Sequence, residues 1–190
     1  MATEIEFKAH AENFESLRAV LSKKAEYICA FEKNDTLWFP FPPLGLRVRT
    51  EKRSFPGGKT ESAVFVTYKD KTVKDGIEIN NEQEFEVHSP SGRGDEIFKD
   101  LLTRLQLRPG GGKRKKGWAY SMNGITVELH EVDGLGWFVE LEIIADNDRE
   151  ETVARERKKL LEALASLGVN QDAIESRSYM QMLREKADKQ

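Results

Sequence analysis

The chain has 190 residues, of which 38% are hydrophobic and 33% are charged, and its formal net charge is −3. This length and apolar content predict one globular domain, residues 1–190, with a sizeable core. A nearly balanced charge gives no global electrostatic reason to bind nucleic acid or a membrane, and no apolar run approaches the roughly 20 residues of a membrane span. The single cysteine, Cys29, excludes an internal disulfide. We therefore predict a cytoplasmic protein.

Hydrophobic periodicity predicts both strands and helices along the chain. The alternating segments that we interpret as strands are residues 4–8, 31–39, 46–50, 64–69, 83–88, 114–120, 124–132 and 137–144. Helical spacing predicts helices at 13–24, 91–107 and 150–167, and a last short helix that begins near residue 178. Asn123-Gly124 predicts a tight hairpin turn, and Pro109 with Gly110–Gly112 is interpreted as the end of the second helix. These runs predict the α+β class, built around one large antiparallel sheet or barrel.

The first predicted strand carries three charges on one face. Glu4, Glu6 and Lys8 alternate with Ile5 and Phe7, and successive side chains of a strand point to opposite faces of a sheet. One face would therefore hold two carboxylates and an ammonium, and the other face would be apolar. Taken alone, the segment also fits a half-buried strand whose charged face is solvated.

The same alternation recurs in six further segments. The charged or polar pairs are Arg47 and Arg49, Thr67 and Lys69, Glu84 and Glu86, Lys113 and Lys115, Glu128 and His130, and Glu140 and Glu142. Because the leucine stripes of the helices can cover the apolar partners, we predict helices outside a closed or nearly closed sheet. The charged faces would line its interior, where both signs of charge are costly unless they pair or bind a ligand. Carboxylates suit Mg²⁺ or Mn²⁺ and basic side chains suit phosphate, so a triphosphate with divalent metal fits this interior.

These motifs, in this order, resemble those of the CYTH family of triphosphate tunnel metalloenzymes. The matching segments are Glu4-x-Glu6-x-Lys8, Leu46-Arg47-Val48-Arg49, Thr67-Tyr68-Lys69, Glu84-x-Glu86, Lys113-x-Lys115, Gly134-Leu135-Gly136-x-Phe138-x-Glu140-x-Glu142 and Arg177-Ser178-Tyr179. The Gly-Leu-Gly motif and the terminal Ser-Tyr resemble most closely the class IV adenylate cyclases. The resemblance implies a single-domain antiparallel eight-stranded β-barrel, or tunnel, with helices packed outside. It also implies two bound metal ions and a homodimer.

The resemblance further implies roles for individual residues. The metal-site residues would be Glu4, Glu6, Glu128, His130, Glu140 and Glu142, with Glu6 and Glu140 foremost. The phosphate ligands would be Lys8, Arg47, Arg49, Lys69, Lys113 and Lys115, and Glu84 and Glu86 would organise these cations or add to the metal site. His130 stands where the family often has Asp, and Lys115 stands where Arg is usual.

Three functions remain open from the residues and the resemblance. The first is a cyclase that converts ATP into cyclic AMP and pyrophosphate, with Lys69 or Lys113 accepting the proton of the ribose 3′-hydroxyl. The second is a triphosphatase that releases orthophosphate from tripolyphosphate, thiamine triphosphate or a nucleotide. The third is a polyphosphate-binding module without turnover, which His130 in place of Asp favours. The run 113–116 is interpreted as a strand with half its charges inward, not as a nucleic-acid patch.

Overall fold

The chain forms nine strands and four helices within residues 3–41, 44–74 and 76–189, which are the residues that this computed structural model describes. At residues 40, 41, 44, 45, 69–71, 74 and 81 the description covers the main chain alone. The elements are β1 (Thr3–His10), α1 (Phe14–Lys24), β2 (Glu26–Phe41), β3 (Leu44–Ser54), β4 (Thr60–Lys74), β5 (Ile77–Glu86), α2 (Gly94–Arg104), β6 (Arg108–Met122), β7 (Ile125–Val132), β8 (Gly136–Ala145), α3 (Glu150–Ser166), β9 (Ile174–Glu175) and α4 (Tyr179–Ala187). None of the helices in these ranges has the length and apolar character needed to cross a membrane.

Eight of these strands close into an antiparallel barrel. Their hydrogen-bonded order is β5-β4-β3-β2-β6-β7-β8-β1, and β1 also pairs with β5, which closes the sheet. At the closure, Glu6 lies opposite Glu142 of β8 on one side and opposite Glu78 of β5 on the other. The two-residue β9 pairs with the end of β1. The predicted fold, an α+β domain with an eight-stranded antiparallel barrel and helices outside, is confirmed.

The main hydrophobic core lies outside the barrel, between the strands and the helices. Ile5 and Phe7 of β1 are 0% and 1% exposed. The helix residues in the same cluster include Leu17 and Leu21 of α1 and Leu160 and Leu164 of α3. A second cluster joins α2 to three strands through Trp38, Val48, Val66 and Leu102. Burial of each such large side chain stabilises the fold by about 1.5–3 kcal/mol. The apolar faces therefore point outward, and strand alternation sends the charged faces inward.

The glycine-rich segment after α2 does not end that helix, so the sequence interpretation was wrong here. The chain leaves α2 at Gln106, whose φ is 64°, and Gly110 and Gly112 already belong to β6. A Cβ at Gly110 would lie 2.2 Å from the Phe39 ring, and one at Gly112 would lie 2.3 Å from the carbonyl oxygen of Asp35. The glycines therefore allow β6 to approach β2 closely, and this approach is what strand pairing requires.

Strand β5 begins earlier than the sequence indicates. It starts at Ile77 and not at residue 83, and Glu78, Asn80 and Glu82 line the barrel interior beside the predicted Glu84. The alternation was hard to recognise because the polar residues at 80–84 interrupt the apolar face that marks a strand.

The hairpin and the last helix are confirmed. Asn123 and Gly124, with φ angles of 53° and 80°, join β6 to β7, and positive φ at both positions suits the twist of a tight hairpin. The Ser178 side chain accepts a hydrogen bond from the Gln181 amide and caps α4.

Candidate functional site

The barrel encloses a cavity of about 950 Å³, and we call this cavity, with the side chains that line it, the tunnel. The inward faces of all eight barrel strands contribute to its wall. The predicted site residues that line it are Glu4, Glu6, Lys8, Arg47, Arg49, Glu84, Lys113, Lys115, Glu128, Glu140 and Glu142. The structure thus brings together most of the residues that the alternating pattern indicated, although they are spread over the chain.

Two predicted site residues lie away from this wall, and the side chain of a third lies outside the described part of the structure. Glu86 lies at the end of β5, where its carboxylate is 3.5 Å from His88 and its side chain is 40% exposed. His130 is fully buried and does not line the tunnel. Lys69 lies in β4 opposite Glu82, but its side chain falls outside the described part of the structure. The roles predicted for these three residues stay predictions.

Glu4, Glu6 and Glu142 form an acidic cluster at the junction of β1 and β8. They offer carboxylate oxygens that all lie within 4.8 Å of one another. The Nδ2 of Asn80, on the neighbouring β5, donates to Glu4 and to Glu6, each at 3.1 Å. The Oδ1 of Asn80 is buried and has no hydrogen-bond partner among the described residues. Three carboxylates with oxygens this close form a donor set that suits a hard divalent cation.

Several tunnel cations are held by tunnel carboxylates. The ammonium of Lys8 donates to Glu78 at 2.8 Å, and both groups are nearly inaccessible to water. The ammonium of Lys115 donates to Glu140 at 2.6 Å. A buried ion pair of this kind satisfies charges that would otherwise be very costly inside the protein. Within the described part of the tunnel, Glu78 and Glu140 are thus the counter-ions of these two lysines.

Arg47 is held by a neutral group and a carboxylate on the next two strands. Its Nη2 donates to the Thr67 hydroxyl at 3.0 Å and to Glu84 at 3.3 Å, and the Thr67 hydroxyl donates to Glu84 at 2.7 Å. Glu84 therefore contacts one of the predicted phosphate ligands, and its predicted role, to organise the basic residues or to add to the metal site, stays a prediction. The guanidinium keeps further N–H donors for another ligand.

Asp35 of β2 links two of the predicted phosphate ligands. It accepts two hydrogen bonds from Arg49, at 2.7 and 3.0 Å, and one from Lys113 at 2.6 Å. Burial tends to raise the pKa of Asp35, but Lys113 and Arg49 hold it well below the usual range. Burial, only partly opposed by Asp35, lowers the pKa of Lys113 to about 8. A fraction of Lys113 is therefore in the neutral amine form near neutral pH.

The second group of predicted metal ligands, Glu128, His130 and Glu140, is engaged in internal contacts. Its ligand atoms also lie within 4.8 Å of one another. However, Glu128 accepts a hydrogen bond from Lys33 at 2.5 Å, and Glu140 accepts one from Lys115. Burial tends to raise the pKa of Glu140, but Lys115 holds it well below the usual range. A metal ion at this position would have to displace two ammonium groups.

His130 is a buried neutral side chain behind the tunnel wall. Its Nε2 lies 3.1 Å from the Tyr179 hydroxyl and 3.8 Å from Glu140. Burial, together with the charge of Lys115, lowers its pKa to about 3. On the neighbouring β6, a Cβ at Gly117 would lie 2.5 Å from the Cβ of His130. These contacts give His130 a packing role, and its predicted metal binding stays a prediction.

Tyr179, the first residue of α4, lies beside three predicted phosphate ligands. Its ring centroid is 5.4 Å from the Lys8 ammonium, 6.0 Å from that of Lys113 and 4.9 Å from that of Lys115. An ammonium near the face of an aromatic ring is attracted by the electron density of that face. The terminal Ser-Tyr motif thus places an aromatic ring where the ammonium groups of β1 and β6 converge.

Sequence reasoning missed several tunnel residues. Those that line the tunnel are Lys33, Glu51, Arg53, Glu78, Asn80 and Glu82, and Asp35 lies buried beside them. Tyr179 belongs to the terminal motif, but no role was predicted for it. A simple extension of the spacing by two would have found most of them: Lys33 and Asp35 alternate within β2, and Glu51 continues the face of Arg47 and Arg49. The predicted strand 31–39 already contained Lys33 and Asp35, whereas the strands predicted at 46–50 and 83–88 were too short to include the missed residues of β3 and β5.

The closed barrel and its charged interior are those of a triphosphate tunnel protein, and comparison with known proteins agrees. The CYTH domain family matches residues 2–179. A Methanocaldococcus jannaschii protein named "Putative adenylate cyclase" is 27% identical over 138 residues, covering 72% of this chain and 69% of that protein. The structure of a Pyrococcus horikoshii OT3 protein has a TM-score of 0.73 at 28% identity, covering 94% of this chain and 98% of that one.

A structure from Hippeastrum shares the fold. It is described as a "putative adenylyl cyclase" with a dominant triphosphatase activity, and it has a TM-score of 0.62 at 17% identity, covering 98% of this chain and 96% of that one. The match of the CYTH domain family to residues 2–179, nearly the whole length, establishes that the chain belongs to this family. Members of this family include cyclases and triphosphatases that bind triphosphates. The predicted cytoplasmic location, metal ions and homodimer stay predictions.

Proposed function

We propose that this protein is a divalent-metal-dependent enzyme that binds ATP in its tunnel and converts it into cyclic AMP and pyrophosphate. The observation that carries the proposal is one closed interior in which an acidic cluster, Glu4, Glu6 and Glu142, faces the same cavity as a set of basic side chains. The name of the Methanocaldococcus jannaschii relative supports the choice of cyclase.

The acidic cluster is the proposed metal position. Its donor set of three carboxylates fits Mg²⁺ or Mn²⁺, and the Nδ2 of Asn80 holds two of these carboxylates in place. Bound there, the metal would supply positive charge to phosphate oxygens and lower the pKa of an attacking hydroxyl. A second ion beside Glu128 and Glu140 stays a prediction, because lysines already contact both carboxylates.

The basic residues are the proposed ligands of the triphosphate. Lys8, Arg47, Arg49, Lys113 and Lys115 come from three different strands and line one cavity. Arginine and lysine N–H groups donate charge-assisted hydrogen bonds to phosphate oxygens, and these are stronger than bonds between neutral groups. A chain of three phosphates can contact several of these donors together, which would hold it in one orientation.

Lys113 is the proposed proton acceptor. In the reaction the ribose 3′-oxygen forms a bond to the α-phosphorus, and the bond between that phosphorus and the pyrophosphate oxygen breaks. The hydroxyl proton passes to the neutral amine of Lys113, whose pKa is about 8, and pyrophosphate leaves on the basic residues. Only the neutral form of Lys113 accepts the proton, so the rate should rise with pH through about 8, whereas binding of phosphate uses the ammonium form that predominates below this pH. Lys69, the alternative acceptor, stays a prediction.

Apolar residues of the tunnel offer a position for the nucleobase. Leu37, Phe39, Phe65 and Met180 line the cavity. In the barrel register, Leu37 lies opposite Arg47 and Phe65 lies opposite Arg49. Apolar and aromatic side chains next to polar anchors are the usual lining of a site for a nucleotide-sized ligand. Such a lining would be unnecessary for inorganic tripolyphosphate, which is polar throughout.

Product analysis tests the proposal. The protein is incubated with ATP, tripolyphosphate or thiamine triphosphate, each with Mg²⁺ or Mn²⁺, and products are separated by chromatography. Cyclic AMP and pyrophosphate in equal amounts are the expected result with ATP. Orthophosphate without cyclic AMP would replace the cyclase with a triphosphatase that uses the same tunnel. Tight binding without any product would leave a binding module.

A further inference from the structure

Asp35 is a buried carboxylate next to the tunnel that accepts hydrogen bonds from two cations of the tunnel wall. Its side chain is 1% exposed, and it does not line the cavity, whereas Arg49 and Lys113 do. It contacts two cations, while Glu78 and Glu140 each accept hydrogen bonds from one lysine. The carboxylate therefore lies behind two basic side chains whose heads face the tunnel.

The barrel register explains this arrangement. Asp35 is the direct cross-strand partner of Arg49 on β3 and of Lys113 on β6. Directly opposed side chains on one face of a sheet lie close enough to interact. The three residues, which we call the Asp35 triad, thus form a row across three neighbouring strands, with the anion in the middle.

The triad leaves both charge and donors for a ligand. Arg49 uses its Nε and Nη2 on Asp35, and Lys113 uses one N–H, so several of their N–H donors remain. One carboxylate between two cations leaves a net positive charge, unlike a pair of one carboxylate with one lysine. Because Asp35 accepts from both heads, it holds them in place before the ligand arrives.

We propose that Asp35 is a positioning residue, which fixes the Arg49 guanidinium and the Lys113 ammonium so that their remaining donors bind one phosphoryl group of the substrate. This proposal rests on the proposed function for its ligand, a triphosphate. Asp35 itself does not touch the ligand and acts through Arg49 and Lys113. An Asp35→Asn variant cannot accept from both cations in the same way, since its amide nitrogen would face one of them.

The first test needs no substrate. Lysine side-chain NMR follows the titration of Lys113, assigned with Lys113→Arg, in the parent protein and in Asp35→Asn. The charged groups that face Lys113 are Asp35 on β2, Arg49 on β3 and Lys115 on β6, and the Tyr179 ring approaches it from α4. Asp35 opposes the effects of burial and of the two cations, so its removal should move the Lys113 titration to lower pH. An unchanged titration would overturn the proposal.

The second test measures binding of tripolyphosphate by calorimetry. We expect tripolyphosphate to bind Asp35→Asn about tenfold more weakly, because the Arg49 guanidinium and the Lys113 ammonium are no longer held in the geometry that binds the ligand. The matched control is Asp100→Asn, since Asp100 accepts from Arg104 at the same 2.7 Å on an exposed helix, and it should bind as the parent does. Equal or tighter binding by Asp35→Asn would show that Asp35 only competes with phosphate, and would overturn the positioning role.

The two tests separate this proposal from the proposed function. If the parent protein binds no triphosphate, the proposed function fails, while the titration still decides whether Asp35 controls Lys113. If the parent binds and Asp35→Asn binds equally well, the positioning role alone fails. Should Asp35→Asn not fold, Asp35→Glu keeps the charge but moves the carboxylate by one methylene. Weaker binding is then expected, and parent-like affinity would overturn the proposal.

Discussion

Two Asp–Arg pairs of this protein have the same shortest distance and opposite surroundings. Asp35 and Arg49 lie 2.7 Å apart with side chains 1% and 12% exposed, and Asp100 and Arg104 lie 2.7 Å apart with side chains 61% and 75% exposed. The exposed pair, at helical i,i+4 spacing, contributes little to stability because water screens both charges. The buried pair has lost its hydration, so removal of one partner leaves a costly charge. The distance between the charged atoms therefore does not by itself determine how much an ion pair contributes to stability.

The same contrast applies to the whole barrel. Its outer face buries apolar residues under helices, and its inner face concentrates charges that an ordinary core would exclude. Such an interior is best explained by a charged ligand, because apolar residues of similar volume are often at least as stable as buried ion pairs. Four comparisons can test this view, each of a residue in or directly behind the tunnel wall with a residue on the protein surface.

The largest effect is expected from removal of a carboxylate of the acidic cluster. Glu6→Ala should lower metal-dependent turnover by more than about a hundredfold, because it removes a proposed metal ligand. Glu151→Ala, at an exposed position in α3, should keep the parent rate. Turnover is measured over a range of Mg²⁺ and Mn²⁺ concentrations. Equal activity of Glu6→Ala and the parent would remove the proposed metal position.

The next effect concerns stability. Asp35→Asn should lower the free energy of unfolding by about 3 kcal/mol, because Arg49 and Lys113 then lack their buried counter-ion. Asp100→Asn should lower it by less than about 0.5 kcal/mol, since its partner stays in water. Urea unfolding at neutral pH, followed by circular dichroism, measures both values. Similar losses in the two variants would contradict the contrast drawn from their burial.

A third comparison sets a buried histidine against an exposed one. The pKa of His130 is about 3 in the folded protein and about 6.5 in an unfolded chain. Between about pH 3 and about pH 6.5, the unfolded state therefore binds more protons at this residue than the folded state does. Stability is therefore retained above pH 6.5 and falls toward acid, by up to about 1.4 kcal/mol per pH unit.

This comparison is measured by unfolding between pH 7 and pH 5 in the presence of a chelator. His130→Gln, which does not titrate, should make the stability curve flatter than that of the parent. His88→Gln, at a position whose side chain is 80% exposed, should leave the slope unchanged. Below this range the carboxyl groups with lowered pKa, Asp35 and Glu140, should add a further loss as they are protonated. An unchanged slope in His130→Gln would mean that the ring is not buried in its neutral form.

The smallest effect is expected at Tyr179. Tyr179→Phe removes the hydroxyl that contacts His130 and should lower the free energy of unfolding by about 1 kcal/mol. Tyr27→Phe, at a residue that is 39% exposed, should change it by less than about 0.5 kcal/mol. The cation-binding face of the Tyr179 ring is kept in this variant. A loss of triphosphate binding with unchanged stability would instead assign the hydroxyl to the ligand.

Much of the fold and part of the site could be predicted from the sequence. The alternation of Glu4, Glu6 and Lys8 with Ile5 and Phe7 correctly assigned the inward and outward faces of β1, because the alternation of side chains is a local property of a strand. The prediction failed at Gly110 and Gly112, since their close contacts come from β2 and are not visible in the neighbouring residues.

What the tertiary structure alone decided is which charges meet. Asp35 contacts Arg49, 14 residues away, and Lys113, 78 residues away, and nothing in the local pattern of β2 selects these partners. Strand order, register and closure select them, and these depend on long-range pairing. The residue order therefore set the charge of each inner face, because the charged side chains alternate with apolar ones along each strand. The barrel then decided that Asp35 lies behind two cations, and that His130 is buried beside Tyr179 and not in the tunnel wall.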